Sequence, residues 1–239
     1  MKVKNNSEEK TKLNRSGIRG ILLWYLMVTS ALLILLFCSG KFDWLNAWVY
    51  FIISILYLTI LNLIAIKKNP KMLNERGKVF REDTKLFDKI FIVLWMPMIL
   101  ISMLIIAWDV IRFHWSYIPF WTLFIGIILT LPGFILSLTA MLSNPYFELT
   151  VRIQKDRKQK VITSGPYKVV RHPGYTGEIL NLIATPLILG SLWGFLPIGI
   201  IIVVFVIRTG LEDHTLRKEL PGYKEYANKT RYRLIPYIW

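Results

Sequence analysis

Cysteine and histidine are scarce in this 239-residue chain, which has a single cysteine, Cys38, and three scattered histidines. One cysteine excludes an internal disulfide. No pair of histidines has the spacing of metal ligands, so we expect no metal site. The chain also lacks a P-loop and a G-x-G-x-x-G motif, which excludes nucleotide binding through a Rossmann domain.

Charge is missing from five long apolar runs. These runs are Ile21–Leu36, Leu45–Ile66, Ile90–Trp108, Tyr117–Leu142 and Ile179–Ile207. Each of the first four is close to the roughly 20 residues that a helix needs to cross a bilayer. None has the polar stripe of a soluble core helix. The sequence therefore predicts an all-α fold, a polytopic transmembrane helical bundle in a lipid bilayer.

The fifth run has 29 residues, which is too long for one ordinary span. Turn-forming residues interrupt it at Thr185-Pro186, at Gly190-Ser191 and between Trp193 and Pro197. We predict a helical hairpin of about 176–190 and 195–211, which gives six crossings in all. The alternative is one steeply tilted helix kinked by proline, which gives five.

Acidic residues are half as numerous as basic ones, 15 against 30, and the basic residues are unevenly placed. The N-terminal tail, the 67–89 loop, the 150–177 loop and the segment from Arg208 onward carry 28 of them, whereas the loops on the other side carry only Lys41 and Arg112. Six crossings put these four segments on one side, so the positive-inside rule predicts that both termini are cytoplasmic. Because the charges flank spans, we expect no nucleic-acid partner.

Three regions follow from these patterns. Residues 1–17 are expected to be a disordered basic tail. Residues 18–143 are expected to hold four transmembrane helices, and the 67–89 loop within them is expected to be a solvated connector. Residues 144–239 contain nearly all of the unusual polar sequence and are the candidate catalytic region.

The segment Gly165–Gly177 combines two prolines and several glycines with an Arg-His pair and two tyrosines. The hairpin brings Arg171 and His172, at its entry, close to Arg208 and Glu212, at its exit. Arg208 and Glu212 are four residues apart, so they share one face of a helix. Such a polar cluster at the hydrocarbon boundary indicates a functional site. The alternative is a helix-end salt bridge with a snorkelling arginine.

These residues resemble a known family. Its pattern is carried by Gly165-Pro166-Tyr167, Arg171-His172-Pro173-x-Tyr175-x-Gly177, Arg208-x-x-x-Glu212-Asp213, Tyr223-x-x-Tyr226 and a terminal Arg-Leu-Ile-Pro. Residues 144–239 are similar to the isoprenylcysteine carboxyl methyltransferases in their prokaryotic form, with phospholipid methyltransferases as distant relatives. Two positions depart from the pattern: Gln159 replaces a histidine of the eukaryotic enzymes, and Asp213 replaces the second residue of a Glu-Glu pair.

The resemblance implies a membrane methyltransferase that uses S-adenosylmethionine and needs no metal. Arg208 corresponds to the family's substrate-side arginine, and we expect Arg208 and Glu212 to be catalytic. Arg171 could bind the carboxylate of the cofactor. The other positions expected to bind the cofactor are Gln154, Gln159, Lys160, Val161, Ile162, Tyr167, His172, Pro173, Gly174, Tyr175 and Glu212.

The nature of the methyl acceptor decides what further groups are needed. A carboxylate is already a nucleophile, so O-methylation of an isoprenylcysteine-like or other lipidic acid needs no base. A phospholipid amine would need one, with Glu212, Asp213 or His214 as candidates. A transporter or scaffold is a third possibility, but a transporter would be expected to have broken or charged helices in corresponding halves. Here the breaks are concentrated in the fifth run. The sequence leaves the oligomeric state open.

Overall fold

A computed structural model describes residues 12–78 and 81–239, and in this part of the chain every regular element is helical. The eight α-helices are α1 (Arg15–Ser39), α2 (Leu45–Lys68), α3 (Pro70–Arg76), α4 (Leu86–Ala107), α5 (Thr122–Ser143), α6 (Pro173–Leu189), α7 (Phe195–Glu219) and α8 (Tyr223–Lys229). The predicted all-α bundle is confirmed.

Five helices, α1, α2, α4, α5 and α7, are long and apolar enough to cross a membrane. Helix α6 has 17 residues, which at 1.5 Å per residue spans about 25 Å and reaches the lower limit for a crossing. It ends at Leu189, where Gly190 adopts a left-handed conformation with φ of 82° and donates its N–H to Pro186. The predicted hairpin is therefore present, with α7 extending to Glu219.

The N-terminal tail is shorter than its predicted limit at residue 17. Helix α1 begins at Arg15, and the Asn14 side chain accepts a hydrogen bond from the Gly17 N–H at 3.1 Å, which caps the first turn. Asn74 of α3 holds this start in place, because its Oδ1 accepts the Asn14 N–H at 2.9 Å. The predicted disorder of residues 1–11 lies outside the described residues.

At the opposite end of the bundle a buried carboxylate fixes the α6–α7 turn. Asp109 lies in a π-helical turn that continues α4. Its Oδ2 accepts hydrogen bonds from the hydroxyls of Ser116 at 2.6 Å and Ser191 at 2.5 Å, and from the Trp193 N–H at 3.2 Å. The sequence predicted only a short loop here. The carboxylate instead joins that loop to the hairpin turn.

Helices α5 and α6 approach each other closely because glycines lie between them. A Cβ at Gly133 would lie 2.9 Å from the Gly177 carbonyl oxygen and would overlap the Asn181 side chain. A Cβ at Gly177 would similarly overlap Ser137. Small residues let backbones approach in this way in membrane bundles. The contact fixes the first turns of α6, which carry the Arg-His-Pro motif.

We predict that Gly133→Ala destabilises the protein, by about 1–3 kcal/mol, because the added methyl group overpacks this contact. Thermal unfolding of the purified protein in detergent measures the change. Gly199→Ala is the matched control, since a Cβ there meets no atom within 4 Å. Equal midpoints for the two variants would contradict the inferred close packing.

Candidate functional site

A polar cavity of about 110 Å³ lies where α6 begins and α7 ends. It is lined by most of the residues expected to bind a cofactor: Gln154, Gln159, Lys160, Val161, Ile162, Tyr167, Arg171, His172, Gly174, Tyr175 and Glu212. Tyr223 and Tyr226 of α8 complete the wall. Residues far apart in the sequence are thus gathered around one space.

Pro173 is the one expected cofactor residue that does not line this cavity. It occupies the first position of α6, where the N–H that proline lacks would have no partner within the helix. For Pro173, contact with the cofactor stays a prediction. Its position instead gives it the role of starting the helix on which Gly174 and Tyr175 face the cavity.

Arg171 lines the cavity, but the fold uses most of its donors. Its Nε and Nη2 donate to the two oxygens of Asp213 at 2.7 and 3.1 Å. Its Nη1 donates to the carbonyls of Thr230 and Arg231, each at 2.7 Å. Four of the five guanidinium N–H groups therefore have partners. The structure makes Arg171 a clamp between the motif and the C-terminal segment, which differs from its expected role as a carboxylate ligand.

Asp213 is the centre of this clamp. Besides Arg171, it accepts hydrogen bonds from Arg217 Nε and Arg233 Nε, each at 3.1 Å, and from the Tyr223 hydroxyl at 3.0 Å. A carboxylate with so many partners is a structural anion. His214, on the next residue of α7, is exposed and lies outside the cavity lining. Of the three candidate bases, only Glu212 faces the cavity.

Backbone hydrogen bonds fix His172 directly before the first residue of α6. Its N–H donates to the Arg233 carbonyl at 2.9 Å, beside the matching bond from Arg171 to Tyr232. Its ring lies parallel to that of Tyr175, with centroids 5.7 Å apart. Its buried Nε2 lies 3.6 Å from Asp213 Oδ1, just beyond hydrogen-bond distance. The His172 ring thus lies between Tyr175 and the carboxylate of Asp213.

Gln154 and Gln159 shape the loop that covers the cavity. The Gln154 N–H donates to Gln159 Oε1 at 2.8 Å, and Gln154 Nε2 donates to the Tyr146 carbonyl at 2.8 Å. Arg152 ties the same loop together through ion pairs to Glu148 and Asp156, both at 2.8 Å. Much of the hydrogen-bonding capacity of the two glutamines is therefore used within the cavity wall.

Two buried tyrosines offer neutral hydroxyls near the cavity. The Tyr226 hydroxyl donates to the Tyr167 carbonyl at 2.7 Å, and burial raises the pKa of Tyr226 to about 12. The Tyr167 hydroxyl accepts from Asn144 Nδ2 at 3.2 Å. Burial also raises the pKa of Tyr167. Tyr167 therefore keeps its proton at neutral pH, so its hydroxyl can donate to a ligand.

A second, mostly apolar cavity of about 230 Å³ lies deeper among the membrane helices. Arg208 lines it, together with apolar and aromatic side chains of α1, α2, α4 and α7. The two cavities share the residues Phe147, Glu148, Gly174 and Tyr175. One space suited to a polar molecule and one suited to a lipid chain thus meet at a common wall.

The guanidinium of Arg208 is fixed in this wall. Its Nε donates to Asp88 Oδ1 at 2.5 Å and its Nη2 to the Leu149 carbonyl at 2.8 Å. It also lies over the ring of Phe91, 4.4 Å from the centroid. With one further bond from Nη1 to the Tyr175 hydroxyl, two of its five N–H groups remain without a partner in the described part of the chain.

Asp88 is a residue of the candidate site that the sequence analysis missed. The 67–89 loop was expected to be a solvated connector, and for Asp88 this expectation is wrong. Asp88 lies in the first turn of α4, is fully buried, and accepts the Val151 N–H at 2.6 Å as well as Arg208. The available signal was its position two residues before an uncharged run, which mirrors the position of Arg208 just after one.

Tyr175 connects the two cavities. Its hydroxyl donates to Glu212 Oε2 at 2.5 Å and accepts a hydrogen bond from Arg208 Nη1. The sequence placed Arg208 and Glu212 side by side on one helix face. In the structure Arg208 forms its ion pair with Asp88, and the Tyr175 hydroxyl lies between Arg208 and Glu212.

Comparison with known proteins agrees with this arrangement. Residues 121–221 match the family model described as phospholipid methyltransferase. The chain is 26% identical over 119 residues to protein-S-isoprenylcysteine O-methyltransferase B of Arabidopsis thaliana, which covers 48% of this chain and 58% of that protein. It is 27% identical over 123 residues to a probable protein-S-isoprenylcysteine O-methyltransferase of Oryza sativa subsp. indica. This match covers 48% of this chain and 61% of that protein.

The chain thus spans about three fifths of the length of the curated relatives it matches. The matched region contains α5, α6 and α7, together with the Arg-His-Pro motif, Arg208 and Glu212. These are the elements that build the shared wall of the two cavities. The resemblance predicted from the sequence is confirmed, because residues 121–221 are similar to the phospholipid methyltransferase family model.

Proposed function

We propose that this protein is an integral-membrane methyltransferase that uses S-adenosylmethionine to esterify the carboxylate of an isoprenylcysteine-like or other lipophilic acid. The observation that carries the proposal is the common wall at Tyr175, where a polar cavity meets an apolar one beside Arg208. A water-soluble methyl donor and a lipid-like acceptor can meet only where two such spaces adjoin.

The polar cavity fits the methyl donor. S-adenosylmethionine has a sulfonium, an ammonium, a carboxylate and an adenine, and when bound it supplies a methyl group whose transfer to a carboxylate oxygen leaves a methyl ester and a neutral thioether. The cavity offers the Glu212 carboxylate for a cation and the Tyr167 hydroxyl as a donor.

Arg208 is the residue that would hold the acceptor. Its two unpartnered N–H groups match a carboxylate, and Asp88, Leu149 and Phe91 fix the guanidinium plane. A carboxylate needs no base, so holding it in line and excluding water account for most of the catalysis. This favours O-methylation over amine methylation.

A phospholipid amine is the second candidate acceptor, and the description of the matching family model favours it. This reaction would need a group that removes a proton from an ammonium. Asp213 is occupied by four partners and His214 is exposed, so Glu212 alone could serve. The guanidinium of Arg208 would also repel an ammonium at the shared wall.

We further propose that the polar cavity opens to the cytoplasm and that both termini lie there. Where the structure describes them, the four segments rich in lysine and arginine lie at the end of the bundle where α1, α4 and α6 begin and α7 ends. The positive-inside rule assigns this end to the cytoplasm, where S-adenosylmethionine is available.

We expect carboxyl methylation to be visible as base-labile label. Membranes that contain the protein are incubated with methyl-labelled S-adenosylmethionine and an S-prenylcysteine acid, and the products are then treated with mild base. Release of the label as volatile methanol identifies a methyl ester. Label that resists base and stays with a lipid would contradict O-methylation, and an absence of cofactor binding would contradict the whole assignment.

Arg208→Lys should lower the rate of methyl transfer by about 100-fold, because lysine keeps the charge but loses the planar donor pair that orients a carboxylate. The affinity for S-adenosylmethionine should stay within about threefold. Lysine is chosen because it retains a cation beside the buried Asp88. Wild-type turnover in this variant would exclude Arg208 from the reaction.

Glu212→Gln should instead weaken S-adenosylmethionine binding by about 10-fold, because it removes the carboxylate that faces the polar cavity. Isothermal titration with the purified protein measures this affinity. Glu225→Gln is the matched control, since Glu225 is exposed on α8. If both variants bound the donor as tightly as wild type, Glu212 would have no role in binding it.

A further inference from the structure

A tight turn after the last helix exposes large apolar side chains outside the uncharged runs. Tyr237 is 89% exposed, Ile238 is 76% exposed and Ile235 is 46% exposed. The Ile238 and Trp239 N–H groups both donate to the Ile235 carbonyl, at 3.2 and 3.1 Å, which closes the turn. We call residues 235–239 the C-terminal hook. An exposed apolar patch of this kind marks a surface that meets a partner or a membrane.

The C-terminal hook is fixed at the level where the membrane helices end. Thr176, in the first turn of α6, donates its hydroxyl to the Leu234 carbonyl at 2.8 Å, directly before the hook. On α7, a Cβ placed at Gly210 would lie 4.0 Å from the Trp239 ring. Gly210 follows Ile207, the last residue of the fifth uncharged run, by three residues, or about 4.5 Å along the helix. The hook therefore lies beside the boundary of the hydrocarbon.

The lipid-facing side of α7 continues to this level. Exposed apolar side chains recur every three or four residues along the helix and so form one stripe, which consists of Ile200, Val203, Ile207 and Leu211. Leu211 is 42% exposed and directly follows the glycine against which Trp239 lies. The hook thus extends an apolar surface that a membrane-spanning helix presents to lipid.

The side chains around the hook are of the types found at membrane–water interfaces. Arg233 lies over the Trp239 ring, 4.7 Å from the centroid. The rings of Tyr232 and Tyr237 have centroids 5.3 Å apart, and Arg231 is exposed beside them. Tryptophan, tyrosine and arginine can place an apolar body in lipid and a polar end in the headgroup layer. A patch that met a protein partner would not need to lie at the hydrocarbon boundary, so its position favours lipid as the occupant.

We propose that the C-terminal hook inserts Ile235, Tyr237 and Ile238 into the interfacial layer of the bilayer and is a membrane anchor in addition to the spans. The backbone connects this anchor to the Arg-His-Pro motif, because the Arg171 N–H donates to the Tyr232 carbonyl at 2.9 Å. Insertion thereby holds the start of α6, and with it one wall of the polar cavity, at the membrane surface. The inference does not depend on which acceptor is methylated.

Spin labelling of the full chain in phosphatidylcholine nanodiscs tests the insertion. A label on Ile238→Cys, in a Cys38→Ser background, is compared for its collision rates with oxygen, which concentrates in lipid, and with a water-soluble nickel chelate. The matched controls are Val203→Cys, on the lipid-facing stripe of α7, and Lys224→Cys, exposed on α8. We expect the ratio of oxygen to nickel collisions at position 238 to exceed that at position 224 by at least about threefold, as for a side chain in the interface. Equal ratios at positions 238 and 224 would place the hook in water and overturn the inference.

A charged hook tests whether lipid contact holds the motif. In the double variant Tyr237→Asp and Ile238→Asp, both positions are exposed, and aspartate tolerates the φ of 67° at residue 237. In nanodiscs the N–H groups of Arg171 and His172 should exchange with deuterium at least about threefold faster than in wild type, because the anchor that holds them is lost. Lys224→Asp is the control for added negative charge. Unchanged exchange in the double variant, or an equal increase in the control, would refute the anchoring role.

Discussion

The buried ion pair between Asp88 and Arg208 is the interaction on which the rest of the arrangement depends. It joins the first turn of α4 to α7 at the level of the wall between the cavities, at 2.5 Å. Because Asp88 also accepts the Val151 N–H, it connects the loop over the polar cavity to the same point. Removal of either partner would leave an uncompensated buried charge, at a cost of about 3–5 kcal/mol.

A second buried carboxylate divides the polar residues of the motif into two groups. Asp213 binds Arg171, Arg217 and Arg233 and so fastens the C-terminal segment over the start of α6. Tyr175 and Glu212 therefore make no side-chain hydrogen bond to that segment among the described residues, and both can face the cavity. Glu212 and Asp213 are neighbours in the sequence but lie on different faces of α7. Glu212 therefore faces the cavity, whereas Asp213 binds the arginines of the clamp.

The sequence predicts much of this molecule, since uncharged runs and their breaks locate the helices and the hairpin. The motif likewise locates the residues around the polar cavity. The partners within the cluster could not be predicted, because the i,i+4 spacing of Arg208 and Glu212 suggests a direct pair, whereas Tyr175 and Asp88 intervene from other helices. Asp109 was missed for a similar reason: its three partners come from segments distant in sequence.

The tight contact of α5 with α6 also decides how an acceptor is delivered. Glycines let α5 and α6 pack in direct contact. A lipid chain therefore cannot enter the apolar cavity between these two helices. On the far side its lining includes Leu23 of α1 and Met96 of α4, which are 36% and 38% exposed on the surface that faces lipid. Under the proposed function, an acceptor would enter this cavity sideways from the bilayer without passing through water. The concentration that governs saturation is then the acceptor's mole fraction in the membrane, and dilution with inert lipid should slow turnover even when the total amount of acceptor is unchanged.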